Sequence, residues 1–418
     1  MLDAALLSSV ASQKSCFEVY ARTLPPQRSY GVVAGTTILP KAIKSFRFSK
    51  EQIAYLRATT SLRDETLDFL SDFSFAGSIW GYLDGDLYFP NSPVLRVEGT
   101  FAETLILETL ILSSLNFDTA IASAASRMVQ VSQAKTLIEM GTRRTNDSAA
   151  IMAARASYIA GFNSTSNLRA GFEFAVPTSG TVGHAFILAH RSEEEAFTAQ
   201  YRTYGANTTA LVDTFDIETG IRTAINVFGK KLKSIRIDSG DLKYEAPKAR
   251  ELLDELGATS TQIVLSGDLD EYSISELAKL NVGGFGVGTR LVGGSGYPSA
   301  NFVYKLVAIE DSSQLRSVAK TSPQKESIGG PKDAIRLYTR EGILSSEHTI
   351  DPHDTQKLQE GVVRVQKALM RDGEIVFEVP HVKELRRRHL KEIETLPLSC
   401  RQELQPQGPY LIVSPWTE

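Results

Sequence analysis

Short apolar runs that end in an acid or a glycine, repeated at strand–helix spacing, constrain this chain most. ALVDTFD carries Asp213, SIRIDSGDL carries Asp238 and QIVLSGDLDEYSI carries Asp268; a fourth run, GGFGVGTRL (283–291), ends in glycines. Apolar β-type runs of four or five residues read as buried parallel strands. The first two acids are 25 residues apart and the next two 30, the length of one strand–helix unit. Their side chains are therefore expected at the carboxyl ends of successive parallel strands. That rim is where a barrel enzyme keeps its chemistry, with phosphate held by the glycine loops of the last strands.

The chain has 418 residues, which favours two or more domains. It is 42% hydrophobic and 22% charged, ordinary for a globular protein. A net charge of -4 supplies no basic field for nucleic acid and no polybasic membrane patch. Cys16 and Cys400 are too far apart for a disulfide framework or a metal spacing, and read as reduced, cytosolic thiols. The expected location is cytoplasmic. No run of about 18 apolar residues suggests a membrane span. MLDAALLSSVASQ lacks a positive n-region and carries Asp3, so it reads as the end of a helix rather than a signal peptide.

Residues 16–50 alternate like strands around a Pro-Pro turn, and 51–73 look helical. Residues 85–101 read as two strands broken by Pro-Asn-Ser-Pro. From Ala102 to Val131 the pattern is a long helix, with Leu105, Leu107, Leu110, Ile111 and Leu115 on its apolar face. This helix is the boundary between an α/β module and the barrel. Residues 311–333 are polar and read as a surface loop or a lid, with composition favouring the loop. Residues 334–380 return to strand character. HVKELRRRHLKEIE (381–394) reads as a basic helix with a solvated face. The fold class expected is α/β: an irregular TIM-like (β/α) barrel plus an α/β open-sandwich domain built from the N- and C-terminal parts. The domains are 1–115, completed by 304–418, and a barrel at 116–303 that carries the active site.

Four motifs carry chemistry. In IRIDSGDL, Arg236 and Asp238 alternate with Ile235 and Ile237, so both should point into the barrel mouth. They form either a structural ion pair or a site for a charged ligand, since a guanidinium fork suits a carboxylate or a phosphate. GTRRTND (141–147) puts Arg143 and Arg144 before a helical run, where cationic donors and free N–H groups attract phosphate; a plain surface pair has the same pattern. SGTVGHAFILAH (179–190) leads through glycines into His184, one of six histidines. Imidazole can transfer a proton or act as a nucleophile at neutral pH, although a lone histidine is often structural. His190 is six residues on, about 600° of helix rotation away, so the two are not a metal pair. VLSGDLDEYSI (264–274) and GFGVGTRLVGGSG (284–296) each follow a strand with a glycine turn, the pattern of a late-strand phosphate cradle. Acids for a metal or a sugar diol, arginines and glycine turns for phosphate, and one histidine suit a phosphorylated pentose attacked at its anomeric carbon.

EMGTRRT, GFNSTSN, GTVGHAF, LVDTFD, IRIDSGDL, VLSGDLDEYSI, FGVGTRLV and NFVYKLV stand in the order and spacing found in nicotinate phosphoribosyltransferases. The chain resembles that family, of the type II phosphoribosyltransferase group, from about Cys16 to Val307. The resemblance implies synthesis of nicotinate mononucleotide and pyrophosphate from nicotinate and 5-phosphoribosyl 1-pyrophosphate, driven by ATP, in NAD biosynthesis. It implies Mg²⁺ and a homodimer whose partner completes the site.

By the same resemblance His184 is the phosphohistidine, with Asp213 holding its tautomer. Asp238 meets the ribose or Mg²⁺, and Arg236 the nicotinate. Arg143 and Arg144 meet the carboxylate and phosphates. Gly267 and Asp268 meet the ribose and 5′-phosphate, with Gly286, Gly288 and Thr289 as a backbone cradle. Ser166 stands where nicotinamide-using relatives carry an aspartate, which favours the free acid; it is equally placed to cap a helix. The family usually opens with Thr-Asp-x-Tyr-x-Leu-Thr-Met, whose tyrosine stacks on the pyridine from the other subunit; this chain starts at about the position of that methionine, and Tyr20 is not in the motif. Met140 stands where phenylalanine is common. Rival readings are a nicotinamide or quinolinate phosphoribosyltransferase and a non-catalytic ligand-binding relative.

Overall fold

Strand Lys14–Ala21 is buried at seven of its eight residues, and an antiparallel sheet is built around it. Phe302–Asp311 pairs on one side and Leu95–Thr100 on the other. Gln314–Ser317 extends the first side; Ser78–Gly81, Lys367–Arg371 and Glu374–Ile375 extend the second. The computed structural model describes residues 1–322, 327–354 and 361–416. The chain divides into two units, one of Met1–Ala120 with Ser299–Glu418 and one of Ile121–Pro298.

The core of the first unit is aromatic and aliphatic, with Phe17 stacked on Tyr304 at 4.7 Å between ring centroids. A second, four-stranded sheet contains Asp333–Tyr338 and Leu344–Ile350. Three expectations need correction here. Within 16–50 the strand pattern holds for Lys14–Ala21 and for Gly31–Val32, but Leu39–Ser45 is a helix with proline near its start, a position proline tolerates. Within 311–333, Gln314–Ser317 is a strand folded back on Phe302–Asp311; residues 323–326 of that stretch lie outside the described residues. Helix Val382–Glu394 is not only solvated: Val382, Leu385, His389 and Ile393 are buried, a 3-4-4 spacing that defines one helical face. Arg388 on it pairs with the buried Asp86.

The second unit contains the parallel strands. We label them β1 (Thr136–Glu139), β2 (Ser164–Thr165), β3 (Thr209–Leu211), β4 (Ser234–Ile237), β5 (Gln262–Ser266) and β6 (Gly284–Val287). Their order across the sheet is β2-β1-β6-β5-β4-β3, and every pair is parallel. The sheet is a curled half-barrel with β2 and β3 at its edges. Helix Ile217–Phe228 follows β3 and buries Gly220, Ile221, Ala224, Ile225 and Phe228. A Cβ on Gly220 would come within 2.2 Å of the Val212 carbonyl oxygen, so this helix lies closer to the chain after β3 than any side chain would allow. Asp216, Asp241 and Asp270 cap the helices that follow β3, β4 and β5, which starts each helix just past its strand. Asp213, Asp238 and Asp268 therefore all fall in strand-to-helix turns at one end of the sheet.

Inside the first unit, Glu18 is fully buried and takes the Lys332 ammonium at 2.9 Å. Burial pushes its carboxyl up to about 7, against the pull of Lys332. A buried acid with a raised value holds its proton longer folded than unfolded, so stability should fall as pH rises from about 4.5 to about 7 and then level off. In Glu18→Gln that fall should shrink by an amount on the order of 3 kcal/mol at most, read from denaturant midpoints across that range.

Candidate active site

The site is assembled from the turns at the carboxyl ends of β1, β4, β5 and β6. Together they line a cleft of about 240 Å³ formed by Met140, Arg143, Arg144, Arg236, Asp238, Ser266, Gly267, Asp268, Gly286, Gly288 and Thr289. Nine of these eleven are residues to which the sequence analysis assigned a role in the site; Met140 and Ser266 are the other two.

Arg236 and Asp238 point the same way, as strand alternation requires. The Arg236 guanidinium donates through Nη2 to Asp238 Oδ1, through Nε to Ser266 Oγ and through Nη1 to Thr181 Oγ1, each at 2.8 Å. Ser266 Oγ in turn donates to Asp238 Oδ1 at 2.6 Å. Burial works against ionisation of Asp238, but the Ser266 hydroxyl and the Arg236 charge outweigh it and hold the carboxyl below the usual range. Asp238 is therefore an anion in the working range of the protein.

The Asp213 side chain is wholly buried. Its Oδ2 accepts the Asp238 backbone N–H at 2.8 Å and the Ser239 hydroxyl at 2.6 Å. Its Oδ1 has no hydrogen-bond partner and lies 4.0 Å from His184 Nε2, while Asp238 Oδ2 lies 3.5 Å from the same nitrogen. His184 Nδ1 is 3.2 Å from the Thr214 hydroxyl. Its ring is 39% exposed and opens the helix His184–Leu188. His184, Asp213, Asp238 and Arg236 thus form one contiguous group. His190 bonds the Phe186 carbonyl instead and stands apart from it.

The glycines are placed by close contact. Gly267 has φ +110° and a Cβ there would meet the Asp238 carbonyl oxygen at 2.6 Å, so only glycine fits between the ends of β4 and β5. A Cβ on Gly286 would meet Met140 Sδ at 2.6 Å; the thioether packs against bare backbone there. Asp268 has φ +46°, a left-handed conformation that aspartate accepts more readily than most residues. Arg143 and Arg144 are exposed in a short 3-10 turn ahead of helix Asp147–Ile159.

Ser166 is exposed and does not line this cleft. It does not cap the next helix either, because Asn167 does so through Ala170 N–H. Several polar groups were not anticipated. Thr181 and Ser266 hold Arg236, although both lie inside quoted motifs. Glu139, at the end of β1, is fully buried, accepts the Gly141 N–H and the Thr165 hydroxyl, and takes Ser166 N–H on its carbonyl. Burial raises its carboxyl above the usual range against those two donors. A carboxylate closing a strand before Met-Gly-Thr-Arg-Arg was the available signal.

A family model described as the nicotinate phosphoribosyltransferase N-terminal domain matches residues 1–116. A second, described as the nicotinate phosphoribosyltransferase family, matches residues 136–356. Nicotinate phosphoribosyltransferase pncB1 of Mycobacterium tuberculosis is 50% identical over 355 residues, covering 83% of this chain and 78% of that protein. The nicotinate phosphoribosyltransferase of Bacillus subtilis is 36% identical over 360 residues, covering 83% and 73%. In fold, the chain is similar to human nicotinic acid phosphoribosyltransferase, with a TM-score of 0.86 at 20% identity over 99% of this chain and 96% of that one. The eight ordered motifs, the cleft that four of them line and these matches have one common explanation: this chain belongs to the nicotinate phosphoribosyltransferase family.

Proposed function

We infer that this chain is a nicotinate phosphoribosyltransferase of NAD biosynthesis that couples its reaction to ATP through a phosphohistidine at His184. The observation that carries the reading is the single group formed by His184, Asp213, Asp238 and Arg236 at the edge of a cleft lined with arginines and glycine turns. In the transfer, the ring nitrogen of nicotinate gives its lone pair to C1 of the phosphoribosyl group. The C1–oxygen bond breaks and its electron pair leaves with pyrophosphate. No proton moves, so the protein's task is electrostatic: to hold anions and to stabilise an oxocarbenium-like centre.

Arg143 and Arg144 supply positive charge for the phosphates. Gly286, Gly288 and Thr289 supply backbone approach at a helix start, and Gly267 with Asp268 the turn for the ribose and 5′-phosphate. Arg236 is the cation for the nicotinate carboxylate. Because Ser166 lies outside the lining, we assign the preference for acid over amide to these arginines. Asp213, whose unpartnered Oδ1 stands 4.0 Å from His184 Nε2, is the acid that would close on that N–H and leave the lone pair of the other nitrogen for phosphorus. The γ-phosphoryl then passes from ATP to that nitrogen, ADP departs, and later hydrolysis returns free phosphate and His184.

Among the described residues no group of three or more His, Cys, Asp or Glu side chains could hold a metal ion. Asp238 still fits Mg²⁺ that arrives with pyrophosphate, since such ions take one or two carboxylates and let phosphates and water complete the shell. Mg²⁺ bound there would offset the charge building on the leaving group. The motif resemblance further supports reading the half-barrel as an irregular (β/α) barrel. It also supports a cytoplasmic homodimer whose partner completes the site.

Two variants test this reading. His184→Ala should form no acid-labile phosphate with ATP and should lose ATP stimulation of nicotinate mononucleotide synthesis, while slow ATP-independent synthesis persists. Full ATP stimulation in that variant, or a wild type that prefers nicotinamide or quinolinate in competition, would defeat the assignment. Glu139→Ala leaves the Gly141 N–H and Thr165 hydroxyl unpaired, at about 1–3 kcal/mol. It should raise the KM for phosphoribosyl pyrophosphate about tenfold by loosening the Arg143–Arg144 turn, with phosphate still forming on His184.

A further inference from the structure

The Arg236 guanidinium has three side-chain anchors of two different kinds. Ser266 and Asp238 stand at the ends of β5 and β4, which are hydrogen-bonded neighbours from Gln262 to Leu265. Both are set by the sheet. Thr181 is not. It lies in the segment Ser179–Gly183, which has no regular secondary structure. Gly180 and Gly183 flank it, and a Cβ on either would meet nothing within 4 Å. Neither glycine is there because of crowding; the entry of the turn is tied to the sheet by the Ser179 N–H on the Thr165 carbonyl at 2.9 Å, and beyond it Thr181 is held through its side chain. The Thr181 hydroxyl donates to the Val182 carbonyl at 3.3 Å, which leaves its lone pairs for Arg236 Nη1 at 2.8 Å.

Three residues on, the same segment delivers His184, whose Nε2 is 3.5 Å from Asp238 Oδ2. Asp238 Oδ1 is bonded to Arg236 Nη2 at 2.8 Å. One turn therefore touches both halves of a single ion pair: the cation through Thr181 and the anion through His184. A change of charge on His184 would alter its interaction with Asp238, and Thr181, three residues away in the same turn, is placed to carry that change to Arg236.

We propose that Thr181 is a positioning residue that couples the state of His184 to the orientation of Arg236, and so to the affinity for the aromatic carboxylate. This rests on the reading of His184 as the phosphorylated residue. Phosphorylation puts negative charge beside Asp238. The turn withdraws, Nη1 is released from Thr181, and the guanidinium is free to offer that N–H to the nicotinate carboxylate. Coupling of this kind is reciprocal: nicotinate bound at Arg236 must favour the phosphorylated turn by the same factor.

The test uses the full chain and one ratio, the nicotinate KM without ATP divided by that with ATP. Thr181→Val keeps the shape of the side chain but cannot accept from Nη1. Thr181→Ser restores the hydroxyl. Acid-labile phosphate on His184 and thermal melting are followed in each variant. The expected result is a wild-type ratio well above one, a ratio falling several-fold toward one in Thr181→Val with His184 still phosphorylated, and a ratio restored in Thr181→Ser. A residue that merely supports the fold would change both KM values together and leave the ratio as in wild type; that result overturns the proposal, as does a Thr181→Ser ratio as low as that of Thr181→Val. A wild-type ratio of one would instead strike at ATP coupling itself, and His184→Ala, run alongside, tells the two failures apart.

Discussion

The site depends on one carboxylate being held as an anion. Asp238 loses solvation by standing at the mouth of the sheet, and burial by itself pushes its carboxyl up. Arg236 and Ser266 supply that compensation on Oδ1. Its backbone N–H, given to Asp213 at 2.8 Å, ties the next acid to the same point. His184 then faces two carboxylates instead of one. Three parts of Asp238 thus serve three neighbours: Oδ1 holds Arg236, the backbone N–H holds Asp213 and Oδ2 faces His184.

The rest of the second unit can be understood as the means of holding this group still. Parallel strands in register fix Arg236 beside Val264 and Gly286 beside Ser266. Aspartate caps start each helix immediately after its strand, so the turns that carry the functional groups are short. Short turns on a rigid sheet lose little conformational entropy when a substrate arrives. The turn from Ser179 to Gly183 departs from this pattern, and it leads into His184.

Much of this was legible from the order of residues. Strand-to-helix spacing placed Asp213, Asp238 and Asp268 at one end of a parallel sheet, and alternation in Ile235–Asp238 aimed Arg236 and Asp238 together. What escaped was set by contacts between distant parts of the chain. Ser266 looks like a turn residue until Arg236, 30 positions away, is seen to need it. Glu139 sits in an apolar strand, and no local pattern says that its carboxylate will gather Gly141 and Thr165. Helix 382–394 was misjudged for a different reason: its many basic residues concealed a regular apolar stripe. Ser166 has its backbone fixed by Glu139 while its side chain lies away from the cleft lining.

The tight approach at Gly267 has a mechanical consequence. With the carbonyl of Asp238 pressed against its α-carbon, the phosphate-side turn of β5 and the acid-bearing turn of β4 form a single lever. A shift of either turn is carried to the other through main chain, with no side chain as intermediary.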